Sequence, residues 1–503
     1  MEPLLNKANK GSSSEIQLTT EYFNELFGMS SDVKFKRHII TSEGKTDPAL
    51  ICTLIYSEVL VDVKKLWESV ARLEGSVFIK SKLKEEEVIE DPQDEFKVSR
   101  VFPSSTIKED VEENVFSGMV LMLFEELELL FMFSLPSIPN RSPEETSSEI
   151  SIRGPRDGFI EDISVNLGLI RKRYKTASLE NQAFTIGKRS KTKINLLYVK
   201  DVVNPETIEK VKRKIFSINT DILLGTTELE EFLSDSKFNL IPLFDYTGRP
   251  DYAVASLNNG RFAILVDGSP TALIGPGNIA LLLKAAEDRH TPSYYTNFEY
   301  LFRIFGLMVS IFLPGFYIAL ISFQLDQLPF PFLATITVSR FGLPISPQQE
   351  AFLILGLFEL FREAGITLPK AIGQSLAVVG GLIIGDAAIR GGITSPTMLV
   401  VAGTTAVATY TLINQSLGGI VSMARFFVLF LSSVLGLFGF FLGVFSIVLY
   451  LSRLQIYGLP YLAPISPLSL KDLLGGGVFV KPYLFRKKRA EMLKTKDRTK
   501  GNR

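Results

Sequence analysis

A single cysteine in 503 residues, Cys52, excludes a disulfide framework within the chain and any CxxC metal site. Set in ICTLIYSEVL, it reads as a buried apolar thiol. Histidine is nearly as scarce: with only His38 and His290, catalysis by a His base or a His-ligated zinc has little to stand on. Net charge is missing as well. Lys and Arg number 54 against 54 Asp and Glu, so no global field argues for nucleic acid or an acidic partner. The opening MEPLLNKANKGSSSEIQL has no apolar core long enough for a signal peptide, which leaves the first domain expected in the cytoplasm.

What is there is unevenly spread. Charge is dense before about residue 300, sparse from there to 451, and basic from Lys481 onward. The expected fold class is a soluble α/β region of two small subdomains, followed by an α-helical polytopic membrane domain. Residues 1–14 are polar, Ser-rich and expected to be disordered. Residues 15–148 form the first subdomain and a linker, and 149–290 the second. Within the first, VFSGMVLMLFEELELLFMF reads as strand–turn–strand or a buried helix, because Glu125, Glu126 and Glu128 would each cost about 2–3 kcal/mol inside a bilayer. In the second, Arg153 and Arg156 sit in the shaped turn RGPRDGF, suited to an anion or to tying the loop to a neighbouring domain.

Residues 194–199 read as a buried strand, and Asn204-Pro205 as an N-cap and first helical residue. A helix after Thr226 or Thr227 would turn Leu229, Phe232 and Leu233 inward. Residues 261–266 and 271–274 are strands joined across Asp267-Gly268. Gly275-Pro276-Gly277 lacks the Lys-Ser/Thr of a phosphate loop. No nucleophile–base pair, cofactor motif or metal-ligand cluster stands out, so no enzymatic activity is expected.

The second half is organised around 351–413. Its first helix, AFLILGLFELFREAG, carries Glu359, Arg362 and Glu363 at i, i+3, i+4 on one side. After Pro369-Lys370, Gly373, Ala377, Gly381 and Gly385 recur every fourth residue, a face for close helix approach. Asp386 and Arg390 follow at i, i+4. Thr404, Thr405, Thr409 and Thr411 then offer hydroxyls to carbonyls a turn back or to a neighbouring helix. Uncharged runs place spans at about 301–323, 371–389, 394–413 and 426–452 within a membrane domain of 291–455. Residues 351–363 become a re-entrant or interfacial helix, and 456–503 a basic cytoplasmic tail. This topology puts Arg390 on the cytoplasmic side and Arg425 outside; a fifth span would move the tail across.

The motifs RGPRDGF (153–159), NPETIEKVKRKI (204–215), YTGRPD (246–251), GRFAILVDGSPTALI (260–274), LPGFYIAL (313–320), FELFREAG (358–365), IGQSLAVVGGLIIGDAAI (372–389), SPTMLVV (395–401) and PYLAPISPL (460–468) occur in this order. Together they resemble the A subunits of the spore germinant receptors of endospore-forming bacteria, a family that includes a related late-sporulation protein. The resemblance covers 152–467; the first 140 or so residues match weakly, and the ending after Leu474 departs from the family's short one. It implies a non-enzymatic multi-pass protein of the spore inner membrane, acting beside a permease-like B subunit and a lipoprotein C subunit. It also implies a ring of A subunits forming a nutrient-gated channel for monovalent cations. In such a ring Glu359, Arg362 and Glu363 would repeat about the axis, as charged rings do in cation pores. The plain alternative is an ion pair of Arg362 with Glu359 or Glu363 that only holds the helix, with Asp386–Arg390 another structural pair and the small-residue face mere packing. A secondary transporter and a membrane scaffold that clusters a sensory partner are the rival functions.

Overall fold

The computed structural model describes residues 18–40, 50–76, 88–90, 97–101, 107–137, 149, 151–234, 239–367 and 385–499. The first unit is a six-stranded antiparallel sheet of order β1-β2-β5-β6-β4-β3. Its strands are β1 Val33–Ile40, β2 Leu50–Ser57, β3 Val88–Glu90, β4 Lys97–Val101, β5 Met119–Phe124 and β6 Leu129–Ser134. Helices α1 Thr20–Phe27 and α3 Ile107–Val115 cover one face through Phe23, Phe27 and Val111. Helix α2 Val63–Ser76 covers the other through Leu66 and Val70. With both faces buried, β5 needs apolar residues at every position, which explains MVLMLF where alternation would otherwise be expected. The expected strand–turn–strand is the β5–β6 hairpin, turned by a 3₁₀ segment Glu125–Leu127 with Glu128 in the left-handed region. Cys52 is buried in β2.

The second unit is a five-stranded antiparallel sheet, β7-β8-β10-β11-β9. Its strands are β7 Leu179–Ile186, β8 Thr192–Val199, β9 Asp245–Thr247, β10 Phe262–Val266 and β11 Ala272–Gly275. Gly268, at φ +83°, turns the β10–β11 hairpin. Helices α4 Ile163–Arg173 and α7 Pro250–Asn258 pack on one face, and α5 Pro205–Ser217 and α6 Thr226–Leu233 on the other. Asn204 caps α5 by accepting from the Glu206 N–H, as its sequence predicts. One inward residue is corrected: Leu229 and Leu233 are buried in α6, but Phe232 is exposed, one step round the helix.

The two sheets are riveted by a pair that local sequence does not announce. The Arg171 guanidinium, at the end of α4, donates to both Asp32 carboxylate oxygens at 3.0 Å, to Ser30 Oγ and to the Thr176 carbonyl. Its plane lies 4.2 Å from the Phe116 ring centroid, and both charges are buried.

Residues 456–499 are not a loose tail. They begin in a short hairpin, Gln455–Ile456 with Leu459–Pro460, and fold back on the second sheet. Tyr457 and Tyr461 enter its core, the Ile279 N–H donates to the Tyr461 carbonyl, and the Lys496 N–H donates to the Val202 carbonyl.

The helical region comprises α8 Ser293–Phe323, α9 Phe330–Ser339, α10 Pro347–Thr367, α11 Pro396–Tyr410 and α12 Gln415–Arg453, with 385–390 also helical. By length and composition α8 and α12 are apolar and long enough to cross a membrane. One expectation changes here. The 426–452 segment is not one rod: at Gly436, φ 61° and ψ −140°, the chain reverses. A Cβ on Gly443 would lie 3.4 Å from Val428 Cα, whereas about 15 residues of straight helix would separate them by roughly 22 Å. Both ends of α12 accordingly return to the second sheet: Asn414 Nδ2 donates to Asp245 Oδ1 at 2.8 Å, and the Leu240 N–H to the Tyr450 hydroxyl at 3.0 Å. Residues 351–363, expected as a re-entrant or interfacial helix, are helical and packed on three neighbours. They form the body of α10 and meet α8, α11 and α12 through Ala351, Ile354 and Leu355.

Candidate functional site

Charges converge deep in the helical region between α10, α11 and the first arm of α12. Glu359 pairs with Arg362 a turn on, and its other oxygen accepts from Ser422 Oγ at 3.0 Å. Arg425 Nη1 stands 4.0 Å from that oxygen. Arg425 is buried and otherwise satisfied: Nε donates to the Ser310 carbonyl at 2.7 Å, and Nη2 to Thr409 Oγ1 at 2.6 Å. Thr409 can serve because its own hydroxyl proton goes to the Thr405 carbonyl at 2.9 Å. Arg362 Nε–H has no acceptor among the described residues. One carboxylate thus answers two guanidiniums among apolar helices, where ionisable groups are costly unless paired or facing water.

Glu363 is exposed on α10, as is Leu360 one turn before it. Asp386 and Arg390 form an i, i+4 pair at 2.8 Å that is exposed. Arg390 precedes the turn to Thr394 and Ser395, and Thr397 Oγ1 accepts from Tyr317 far along α8. It therefore stands at the end remote from the sheets, and Arg425 in the interior. Gly385 does permit close approach, since a Cβ there would meet Leu399 at 3.2 Å. Gly373, Ala377 and Gly381 lie outside the described residues, as do Pro369 and Lys370.

A second polar cluster escaped the sequence reading. Glu350, fully buried at the start of α10, accepts from Thr394 Oγ1 at 2.9 Å, Ser395 Oγ at 2.7 Å, the Ser395 N–H and Arg340. Its carboxylate thereby caps α11, whose Ser395-Pro396 start carries the usual N-cap and N1 signature.

Two joints connect the bundle to the second sheet. Arg303 of α8 donates to both oxygens of Asp288, at 2.7 and 2.8 Å. Asp245 accepts from Tyr252 and Asn414, and burial pushes its carboxyl up to about 7. The RGPRDGF loop is held by its backbone: the N–H groups of Arg153 and Gly154 donate to Glu287 Oε1. Glu287 also pairs with buried Arg249. The Arg153 and Arg156 side chains are exposed.

Residues 21–495 match the family of the Bacillus/Clostridium GerA spore germination protein. The chain belongs to this family. It is 41% identical to spore germination protein XA of Bacillus anthracis over 485 residues, 96% of this chain and 97% of the relative. It is 34% identical to spore germination protein B1 of Bacillus subtilis over 76% of this chain and 79% of that one. An uncharacterized membrane protein of Bacillus subtilis, YfkQ, is 38% identical over 66% and 65%. Among solved structures, the N-terminal domain of the A subunit of the Bacillus megaterium spore germinant receptor GerK3 aligns over 51% of this chain and 92% of that one, with TM-score 0.36 and 22% identity. Membership in the GerA family places this chain in spore germination.

Proposed function

We propose that this GerA-family chain is the A subunit of a germinant receptor, embedded in the spore inner membrane with its α/β units in the cytoplasm. Several copies surround a gated path for monovalent cations, beside a permease-like B subunit and a lipoprotein C subunit. α8, α10, α11 and the two arms of α12 supply the apolar helices, and an even number of crossings returns both the sheets and the C-terminal segment to one side. The observation that carries the reading is the charged edge of α10. Glu359 turns inward to Arg362 and Arg425, and Glu363 lies exposed one turn further on. Repeated about an axis, these carboxylates would form a charged ring of the kind found in cation pores. Arg303–Asp288 and Asn414–Asp245 supply rigid links by which movement of the sheets reaches α8 and α12.

Reconstitution of the purified protein with its companion subunits tests this. Steady currents, altered by Glu363→Gln, are expected. Substrate-coupled flux would indicate a transporter, and absence of any current a scaffold.

A further inference from the structure

The channel reading gives the segment after Val480 no role. It is pinned to the start of α8: Asn297 Nδ2 donates to the Val480 carbonyl at 3.1 Å, the Val480 N–H donates to Asn297 Oδ1 at 2.7 Å, and Ser293 Oγ donates to the Lys481 carbonyl at 3.2 Å. From that anchorage a 3₁₀ turn, Tyr483–Phe485, holds Leu484 and Phe485 outward, 84% and 69% exposed. Lys481, Arg486, Lys487 and Lys488 flank them. The same segment walls a cavity of about 170 Å³ whose lining includes Lys284, Arg289, Lys481, Arg486 and Lys488. Within that lining Lys284 donates to the Gly477 carbonyl, and Arg486 to the Lys481 carbonyl and to Ser293 Oγ.

The position of this basic, apolar-tipped surface follows from α8. That helix has 31 residues, roughly 46 Å, against a hydrocarbon core of about 30 Å. Its first turns therefore stand at headgroup level. Their outer face agrees: Tyr294, Phe298, Phe302 and Phe305 are exposed along one stripe, whereas Arg303 is buried against Asp288. Aromatic side chains at that depth form an interfacial belt.

We propose that residues 481–488 are a docking surface for anionic phospholipid headgroups. Leu484 and Phe485 enter the interface while the cations around them meet the phosphates, clamping the beginning of α8 to the leaflet. A basic side chain next to an anionic leaflet is worth about a five-fold change in affinity. The inference rests on the membrane placement of the apolar helices, and its test separates the two.

Trp67 is the only tryptophan, so Trp67→Phe with Phe485→Trp gives the full-length chain one reporter at position 485. It is placed in nanodiscs of phosphatidylcholine, or phosphatidylcholine with phosphatidylglycerol, carrying brominated acyl chains. Quenching is expected in the anionic discs, weaker in the neutral ones, and the phosphatidylglycerol fraction for half-quenching should rise in Lys487→Gln/Lys488→Gln. Salt should reproduce that rise without any substitution. Quenching indifferent to lipid charge, salt and both lysines overturns headgroup recognition. A reporter unquenched at 485 but quenched in a Phe305→Trp control overturns the docking surface and leaves the membrane reading standing. Failure of the control as well overturns both.

Discussion

Two buried ionic clusters in this chain are built on opposite terms. Between the sheets, Arg171 meets Asp32 one to one, in a fork of two 3.0 Å bonds, with its remaining donors on Ser30 and the Thr176 carbonyl. In the helical bundle, Glu359 is shared between Arg362 and a 4.0 Å partner, Arg425, and one guanidinium N–H is left over. A balanced, saturated pair has one comfortable arrangement. An unbalanced one has a reserve of unmet interaction that a moving helix, a second copy or a passing ion can take up. The first therefore reads as a rivet, and the second as a place where states are chosen.

The largest effect expected is at the rivet. Asp32→Ala leaves Arg171 buried without its counter-charge and should cost about 3–5 kcal/mol, read by denaturant unfolding. Replacing both, Asp32→Leu with Arg171→Met, should recover most of that, because the pair's desolvation cost disappears with it. Next comes Glu359→Gln. Charge-assisted hydrogen bonds are worth about 1.5–3 kcal/mol, so the balance between closed and open states should move about ten-fold or more, seen in ion-release kinetics. Its thermal stability should fall less than that of Asp32→Ala, since Arg425 keeps Ser310 and Thr409. If Glu359→Gln instead destabilises as strongly and leaves release untouched, the contrast between the clusters fails.

Gly436→Ala is expected to cost about 1–3 kcal/mol, for its φ and ψ suit glycine almost alone, and a Cβ would meet Phe323 at 3.0 Å. Protease sensitivity of the α12 reversal in detergent reads this out. The smallest effect is at the joint. Asp245, pushed up to about 7 by burial, titrates in the folded chain above its unfolded value of about 3.9. Its contribution to stability is therefore complete below about pH 4 and is lost as pH rises through about 7. Asp245→Asn should flatten that part of the stability profile, measured as the difference in melting temperature between the two proteins from pH 4 to 8.

How far the sequence could be read follows the range of its signals. The α5 cap at Asn204-Pro205, the β10–β11 turn at Asp267-Gly268 and the β5–β6 hairpin are local, and each leaves its mark within a few residues. The reversal at Gly436 leaves none, since LGLFGFFLG stays apolar through the turn and hydropathy runs on unbroken. Asp32–Arg171 spans 139 residues and Glu350–Ser395 spans 45, distances over which no periodicity speaks. At the candidate site, the i, i+3, i+4 spacing allowed Arg362 a pair with Glu359 or with Glu363, and the fold makes the first. The same reasoning put Glu363 on their side, although the helix carries it a further step outward. Arg425 was visible only as the lone charge between two uncharged runs, a signal that its burial now explains.

Current through bilayers holding the reconstituted receptor, with native, Glu359→Gln and Glu363→Gln chains compared, bears most directly on the charged edge of α10. The expected record shows steady monovalent-cation currents whose gating shifts in the first variant and whose cation preference weakens in the second. Identical currents in all three, with assembly intact, would contradict any part for these carboxylates in the path or its gate.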